Sequence, residues 1–250
     1  MKFKNIPVLS FIEDLYNKPI SPERFKTYIS KLQGGTKGDL DLPIGGFNPM
    51  AKEHVLQKIR ELKNINAEEL IEEVTKNLNT KYENQNSEVI NIVLNLADDL
   101  KGGWTNQYTT DFDSKFKLNA LVTRNFCTPY FWTSENYNAA SIKQRTLEYV
   151  YRTIYWLNHS KIRTLEDYVN QEIFVKQQTT SVIQIHKDKK YDFIKVFYQK
   201  NKEQDDYSIL FNFFYGDHAS ASLNYPLYGI KDVNGFEYTE MLANKVKTNI

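Results

Sequence analysis

Apolar positions recur at helical spacing through the first third of the chain. From Ser21 to Leu32, Phe25, Tyr28, Ile29 and Leu32 share one face, Ser21 is a suitable N-cap, and Pro22 suits the first turn. Gly34 and Gly35 end that segment. After a loop through Pro43, Gly45 and Gly46, Asn48 and Pro49 form a cap and first-turn pair, and Val55, Leu56, Ile59 and Leu62 mark a second stripe. Asn66 opens a third helix. Its first turn is acidic at Glu68 and Glu69, which the positive end of a helix dipole favours, and Leu70, Ile71, Val74 and Leu78 supply its buried face. The spacing of Val89, Ile92, Val93 and Leu96 predicts a further helix over 87–100, stopped by Gly102 and Gly103.

From Trp104 to Asn136 no single period holds, which predicts irregular structure with one or two strands near Lys115 to Val122. Helical spacing returns from Ala139 to Leu157, through Ile142, Tyr149, Val150, Ile154 and Leu157. Thr164 with Asp167 resembles a capping box with a shorter acid, ahead of a helix through Tyr168, Val169, Ile173 and Phe174. The last quarter changes character. Ser181 to His186, Tyr191 to Gln199 and Tyr207 to Tyr215 are rich in β-branched and aromatic residues, and the polar run 200–206 has the length of a hairpin loop. Tyr225 to Tyr228 predicts one more strand, and Glu237 to Val246 a terminal helix. The expected class is α+β: helical N-terminal and central parts, with an antiparallel sheet of three to four strands in the C-terminal part. The expected organisation is a mainly helical lobe over 1–100 and a mixed lobe over 101–250, with no internal repeat.

Composition narrows the function classes. In 250 residues there are 15 Phe, 17 Tyr and 3 Trp, enough large apolar surface to expect a real core. The 32 basic and 31 acidic residues leave a net charge of +1, so no long-range field gathers a polyanion, and a nucleic-acid partner is not expected. Lys143, Arg145 and Arg152 read as a solvated rim on the long helix. Cys127 is the only cysteine, which excludes an intramolecular disulfide and a cysteine-rich zinc site and fits a reducing compartment; a cytoplasmic location is the expectation. Pro7, Glu13 and Asp14 interrupt the first apolar run, so it does not read as a signal peptide, and no stretch approaches the roughly 20 apolar residues of a membrane span.

The candidate site lies between Asp98 and Glu135. Asp98, Asp99, Asp111 and Asp113 surround Gly102, Gly103, Trp104, Asn106 and Tyr108, a set with flat faces, donors, acceptors and freedom of backbone that suits a polyhydroxylated ligand. A second cluster, Arg124 to Glu135, adds a cation for a carboxylate or phosphate at Arg124, an acid at Glu135 and an aromatic wall at Trp132. The expected function is binding of a polar small molecule or glycan-like ligand by Trp104, Asn106, Tyr108, Arg124 and Trp132, in a cleft between the helical and the sheet lobes. The enzyme alternative is a hydrolase using two carboxylates from Asp111, Asp113 and Glu135; Asp111 and Asp113 would share a face if their segment were extended. A third class is a protein-interaction or inhibitor module presenting the aromatics as an exposed patch.

Negative findings are equally specific. Asp111 to Phe116 lacks the glycine of a calcium loop. His54, His159, His186 and His218 show no zinc spacing and no nucleophile signature with Cys127, which reads as a small buried hydrophobe. Gly34 to Gly38 follows a predicted helix, the wrong context for a phosphate loop, and Asp217-His218 reads as a turn. No metal or cofactor is expected.

Overall fold

A computed structural model describes residues 1–34, 39–50, 53–83, 88–100, 103–159, 161–180 and 191–247. The chain divides into two compact units, residues 1–150 and 151–250.

Unit one is a small parallel sheet with helices. Its first strand, β1 (Lys2–Asn5), is followed by four helices, α1 (Leu9–Asn17), α2 (Pro22–Gln33), α3 (Glu53–Asn64) and α4 (Ala67–Lys81). Then come β2 (Val89–Ile92), β3 (Asn95–Ala97), α5 (Gln107–Phe116), the single turn α6 (Asn119–Val122), β4 (Phe126–Cys127), β5 (Tyr130–Trp132) and the long α7 (Ala139–Asn158). The strands pair in parallel as β1-β2-β4 and β3-β5, with Ile92 opposite Cys127 and Ala97 opposite Trp132. Val93 N donates to Cys127 O and Asn95 N to Pro129 O, so the two short sheets continue one another along the chain.

Each element has a local cause. Ser21 Oγ accepts from Arg24 N and Pro22 occupies the first turn of α2, as the sequence predicts. Glu68 Oε1 accepts from Val8 N and Leu9 N, an acceptor for the orphan N–H groups at the start of α1 that the Val8 side chain cannot provide. The Asn79 amide of α4 bonds both the N–H and the carbonyl of Phe3, which protects the outer edge of β1.

Unit two is helical: after the last residues of α7 come α8 (Leu165–Thr179), α9 (Asp192–Asn201), α10 (Tyr207–Ser222) and α11 (Gly235–Lys247). The Thr164–Asp167 capping box is complete, with Thr164 Oγ1 accepting from Asp167 N and Asp167 Oδ2 accepting from Thr164 N. Arg152 and Glu172 form a buried two-bond pair, Nε to Oε1 at 2.7 Å and Nη2 to Oε2 at 2.6 Å. In α10 the helix breaks at Gly216, whose φ of 77° suits glycine, and Asp217 beyond it accepts from Asn212 and from the N–H groups of Tyr228 and Gly229. Aromatic clusters fill this unit, for example Phe213 against Phe214 and Tyr238.

The structure overturns the expected α+β class. The protein is 61% helical, and its sheets are parallel, of three and two strands, with no antiparallel C-terminal sheet among the described residues. Asp192 to Gln199, with Tyr191 as the N-cap, lies in α9, and Tyr207 to Tyr215 lies in α10. Leu210, Phe211, Asn212, Phe213 and Phe214 are all buried, so α10 is surrounded and carries no polar face to display a helical period. Asp206 caps it by accepting from Ser208 N and Ile209 N, a start signal that the β-rich composition obscured. Conversely, the predicted helix over 87–100 forms β2 and β3: Ile90, Ile92, Val93, Leu94, Leu96 and Ala97 are all buried, and so dense a set of apolar positions satisfies helical as well as strand spacing. The strands expected near Lys115 to Val122 are the end of α5 and α6. Tyr225 to Tyr228 forms no strand, and the strand expected over Ser181 to His186 lies outside the described residues.

Candidate functional site

Parallel strands leave their side-chain-bearing loops together at their carboxyl ends, which is where α/β sheets commonly hold ligands. Here Asp98 follows β3 and Thr133 follows β5, side by side because Ala97 and Trp132 are in register. The Asp98 carboxylate is fully buried. Its Oδ1 stands 2.8 Å from His54 Nε2 and 2.8 Å from Thr133 Oγ1. Its Oδ2 is also buried and has no hydrogen-bond partner among the described residues. The neighbouring Asp99 accepts from Thr133 Oγ1 at 3.1 Å, from Ser134 N at 3.1 Å and from Ser134 Oγ at 2.5 Å. Thr133 has one proton to donate, so it serves one of the two carboxylates at a time, and the site is short of donors.

His54 sits in the first turn of α3 with a quarter of its side chain exposed, and its Nδ1 has no partner among the described residues. A carboxylate on one ring nitrogen fixes the imidazole orientation and leaves the other nitrogen available, the arrangement used for proton transfer. The loop before α3 closes on β3 by backbone: Asp98 N donates to Gly46 O, and Gly46 N donates to Asn95 Oδ1. A Cβ at Gly46 would lie 2.6 Å from Leu96 O, and one at Gly103 would lie 2.1 Å from Asp98 O, so both positions need glycine for this approach.

An aromatic and cationic wall continues from there. The Phe47 ring is 6.0 Å from Tyr16 and 5.4 Å from Tyr28, and Tyr28 meets the half-exposed Trp104 at 6.4 Å. Arg24, one turn before Tyr28 on α2, is 4% exposed and lies over the Tyr16 ring at 4.3 Å. Burial holds the Tyr16 hydroxyl far above the ordinary tyrosine range; the Arg24 charge opposes that shift and the Asp98 charge adds to it.

Of the residues predicted from sequence, Trp104 lies on this wall and Asp98, Asp99 and Gly103 at the strand ends. Asn106 is the N-cap of α5, accepting from Tyr108 N and Thr109 N, and Tyr108 is half-buried in that helix's first turn. Asp111 and Asp113 are on α5, not on an extended segment, and each pairs with a lysine one turn on, Lys115 and Lys117. Two residues apart on a helix face different directions, so these carboxylates do not share a face. Glu135 accepts from Arg145 Nη2 at 2.6 Å and Tyr137 Oη at 2.7 Å, while its carbonyl takes Lys58 Nζ. Burial and the Glu135 charge push the Tyr137 hydroxyl upward, against the opposing Arg145 charge. Trp132 is fully buried in β5 and packs on Tyr130. Arg124 precedes β4, at the amino end of that strand pair, where it meets Asp39 and the carbonyl of Ala120. Cys127 is buried in β4. His159 stacks on Tyr155 in unit two, and Gly102 and His186 lie outside the described residues. No group of three or more potential metal-ligating His, Cys, Asp or Glu side chains occurs among the described residues.

Sequence reasoning missed His54 and Thr133 as members of the site. The available signal was Asp98-Asp99 at the end of the largely apolar run 89–97, which marks a strand end once that run is read as buried parallel strands. No described helix is long and apolar enough to cross a membrane. Comparison with protein-family models, with curated proteins and with solved structures gave no match.

Proposed function

We propose that unit one binds a polar small molecule at the carboxyl ends of β3 and β5, with His54 exchanging a proton with it. The observation that carries this reading is the buried Asp98 carboxylate, which orients His54 through one oxygen and presents a second oxygen with no donor among the described residues. A hydroxyl or amine of a ligand would supply the donor that the site lacks, and Trp104 offers it a flat face. A protein that only needed to fasten α3 to β3 has no use for a buried carboxylate with an unmatched oxygen. The ligand class is that of small polyhydroxylated or amino compounds, and the location proposed is the cytoplasm, in keeping with a single cysteine in the chain.

A thermal-shift panel of sugars, sugar derivatives, amino acids and nucleotides on the wild type, Thr133→Val and Trp104→Ala tests the reading. A ligand at about 100 times its dissociation constant adds roughly 2.7 kcal/mol to stability, a readable rise in melting temperature. A shift present in the wild type and lost in Thr133→Val supports the site. Equal shifts in wild type and Thr133→Val place the ligand elsewhere and overturn it, as does a panel with no shift on the folded protein.

A further inference from the structure

Arg24 carries a second unmatched polar group beside the first. Its Nη1 donates towards the carbonyls of Tyr16 and Lys18, at 3.5 and 3.2 Å. The opposite edge of the guanidinium, formed by Nε and Nη2, is buried and has no hydrogen-bond partner among the described residues. Those two nitrogens are a pair that grips a carboxylate or phosphate with parallel bonds. Unit two shows the same edge in use, where Arg152 Nε and Nη2 each bond one oxygen of Glu172. At Arg24 no described acidic side chain takes that position, and the cation rests on the Tyr16 ring at 4.3 Å.

We infer that the Nε–Nη2 edge of Arg24 anchors an oxyanion, carboxylate or phosphate, of the small molecule bound beside Asp98. This rests on the proposed binding site and names its ligand class. The two unmatched groups are complementary: among the described residues the Nε–Nη2 edge of Arg24 lacks an acceptor and the Asp98 Oδ2 lacks a donor. The loop 46–48 links them: Asp98 N donates to Gly46 O, Tyr16 Oη donates to Asn48 O at 2.6 Å, and Arg24 lies over the Tyr16 ring. One molecule with an anionic group at one end and a hydroxyl or amine at the other satisfies both, as a sugar phosphate or sugar acid does. Both groups are closed to solvent, so binding is coupled to a local opening of the side chains over them.

The test is titration calorimetry with matched compounds, glucose against gluconate and glucose 6-phosphate, and ribose against ribose 5-phosphate, on the wild type, Arg24→Lys, Arg24→Met and Thr133→Val. An anionic compound is expected to bind at least about tenfold more tightly than its neutral parent, as a charged hydrogen bond supplies. Arg24→Met abolishes that preference, Arg24→Lys retains part of it, and the Arg24 Nε–Hε resonance of the wild-type protein moves on titration, a readout that needs no variant to fold. Neutral parents binding as tightly as the anions, a preference that survives Arg24→Met, or an Nε–Hε resonance unmoved at saturation overturns the inference. If neutral parents bind as tightly as the anions and Thr133→Val abolishes that binding, the site stands and only the anchor falls. If anions bind through Arg24 and Thr133→Val leaves the affinity unchanged, the anchor stands and the site beside Asp98 falls. No binding of any compound to the folded wild type overturns both.

Discussion

His54 Nε2 and Asp98 Oδ1 stand 2.8 Å apart, joining the first turn of α3 to the carboxyl end of β3. Asp98 has no exposed surface, so each donor that reaches it matters more than it would in water. Thr133→Val removes one of those donors without changing shape. It is expected to cost about 1 to 3 kcal/mol, the penalty for depriving a buried acceptor, whereas Thr133→Ser keeps the hydroxyl and loses less. Urea denaturation of both variants measures the difference; equal losses would show that the methyl group, not the hydroxyl, matters at this position.

Gly103→Ala strikes the same place through the backbone. The new Cβ would lie 2.1 Å from Asp98 O, so either the strand end or the following loop must move. The expected loss is about 1 to 3 kcal/mol, together with a changed environment for His54 in its imidazole resonances. An unchanged melting temperature and unchanged His54 signals would show that this approach is not needed.

Arg152→Met leaves Glu172 buried without its cation and is expected to cost about 3 to 5 kcal/mol. The double variant Arg152→Met, Glu172→Leu removes both charges and is expected to recover most of that loss. A double-mutant cycle read by denaturant unfolding decides it, and strict additivity of the two single losses would refute the expectation.

Thr164→Ala removes one half of the capping box of α8 and is expected to cost about 1 kcal/mol. The affected turn is expected to exchange its amide hydrogens faster, beginning at Asp167, whose N–H the Thr164 hydroxyl receives. Unaltered exchange there would argue against the cap.

Unit two carries an acid-sensitive group in Asp217. Burial works against its charge, but the bonds from the Asn212 side chain and from the backbone of Tyr228, Gly229 and Ile230 prevail and hold its carboxyl below the usual aspartate range. A depressed folded-state pKa stabilises above the unfolded value, about 3.9, and that contribution is lost as pH falls from there through the folded value. Asp217→Asn is therefore expected to lower stability at neutral pH and to flatten the loss of stability below about pH 4. Parallel acid-unfolding curves for wild type and variant would contradict this assignment.

Local signals in the sequence determined the elements whose causes are local. Ser21 with Pro22, Thr164 with Asp167, and the stripes from Ile142 to Leu157 and from Ile71 to Leu78 each place a helix, because capping and one-sided burial act within a few residues. The lone Cys127 and balanced charge likewise excluded a disulfide framework and a polyanion field directly from composition. Tertiary structure decided the rest. Val89 to Ala97 and Tyr207 to Tyr215 are both dominated by apolar residues, interrupted by Asn91 and Asn95 in the first and by Ser208 and Asn212 in the second; the first is flanked by strands and becomes β2 and β3, the second is enclosed by helices and becomes α10. Burial on every side erases the periodicity that separates strand from helix, so only the neighbours resolve it. The site shows the same division. Asp98, Asp99 and Trp104 stand out along the chain, but His54 lies 44 residues from Asp98 and Thr133 lies 35 away. Thr133 meets Asp98 because β3 and β5 pair in parallel register, and His54 meets it because the loop before α3 bonds to β3, contacts set by the fold and invisible in any one segment.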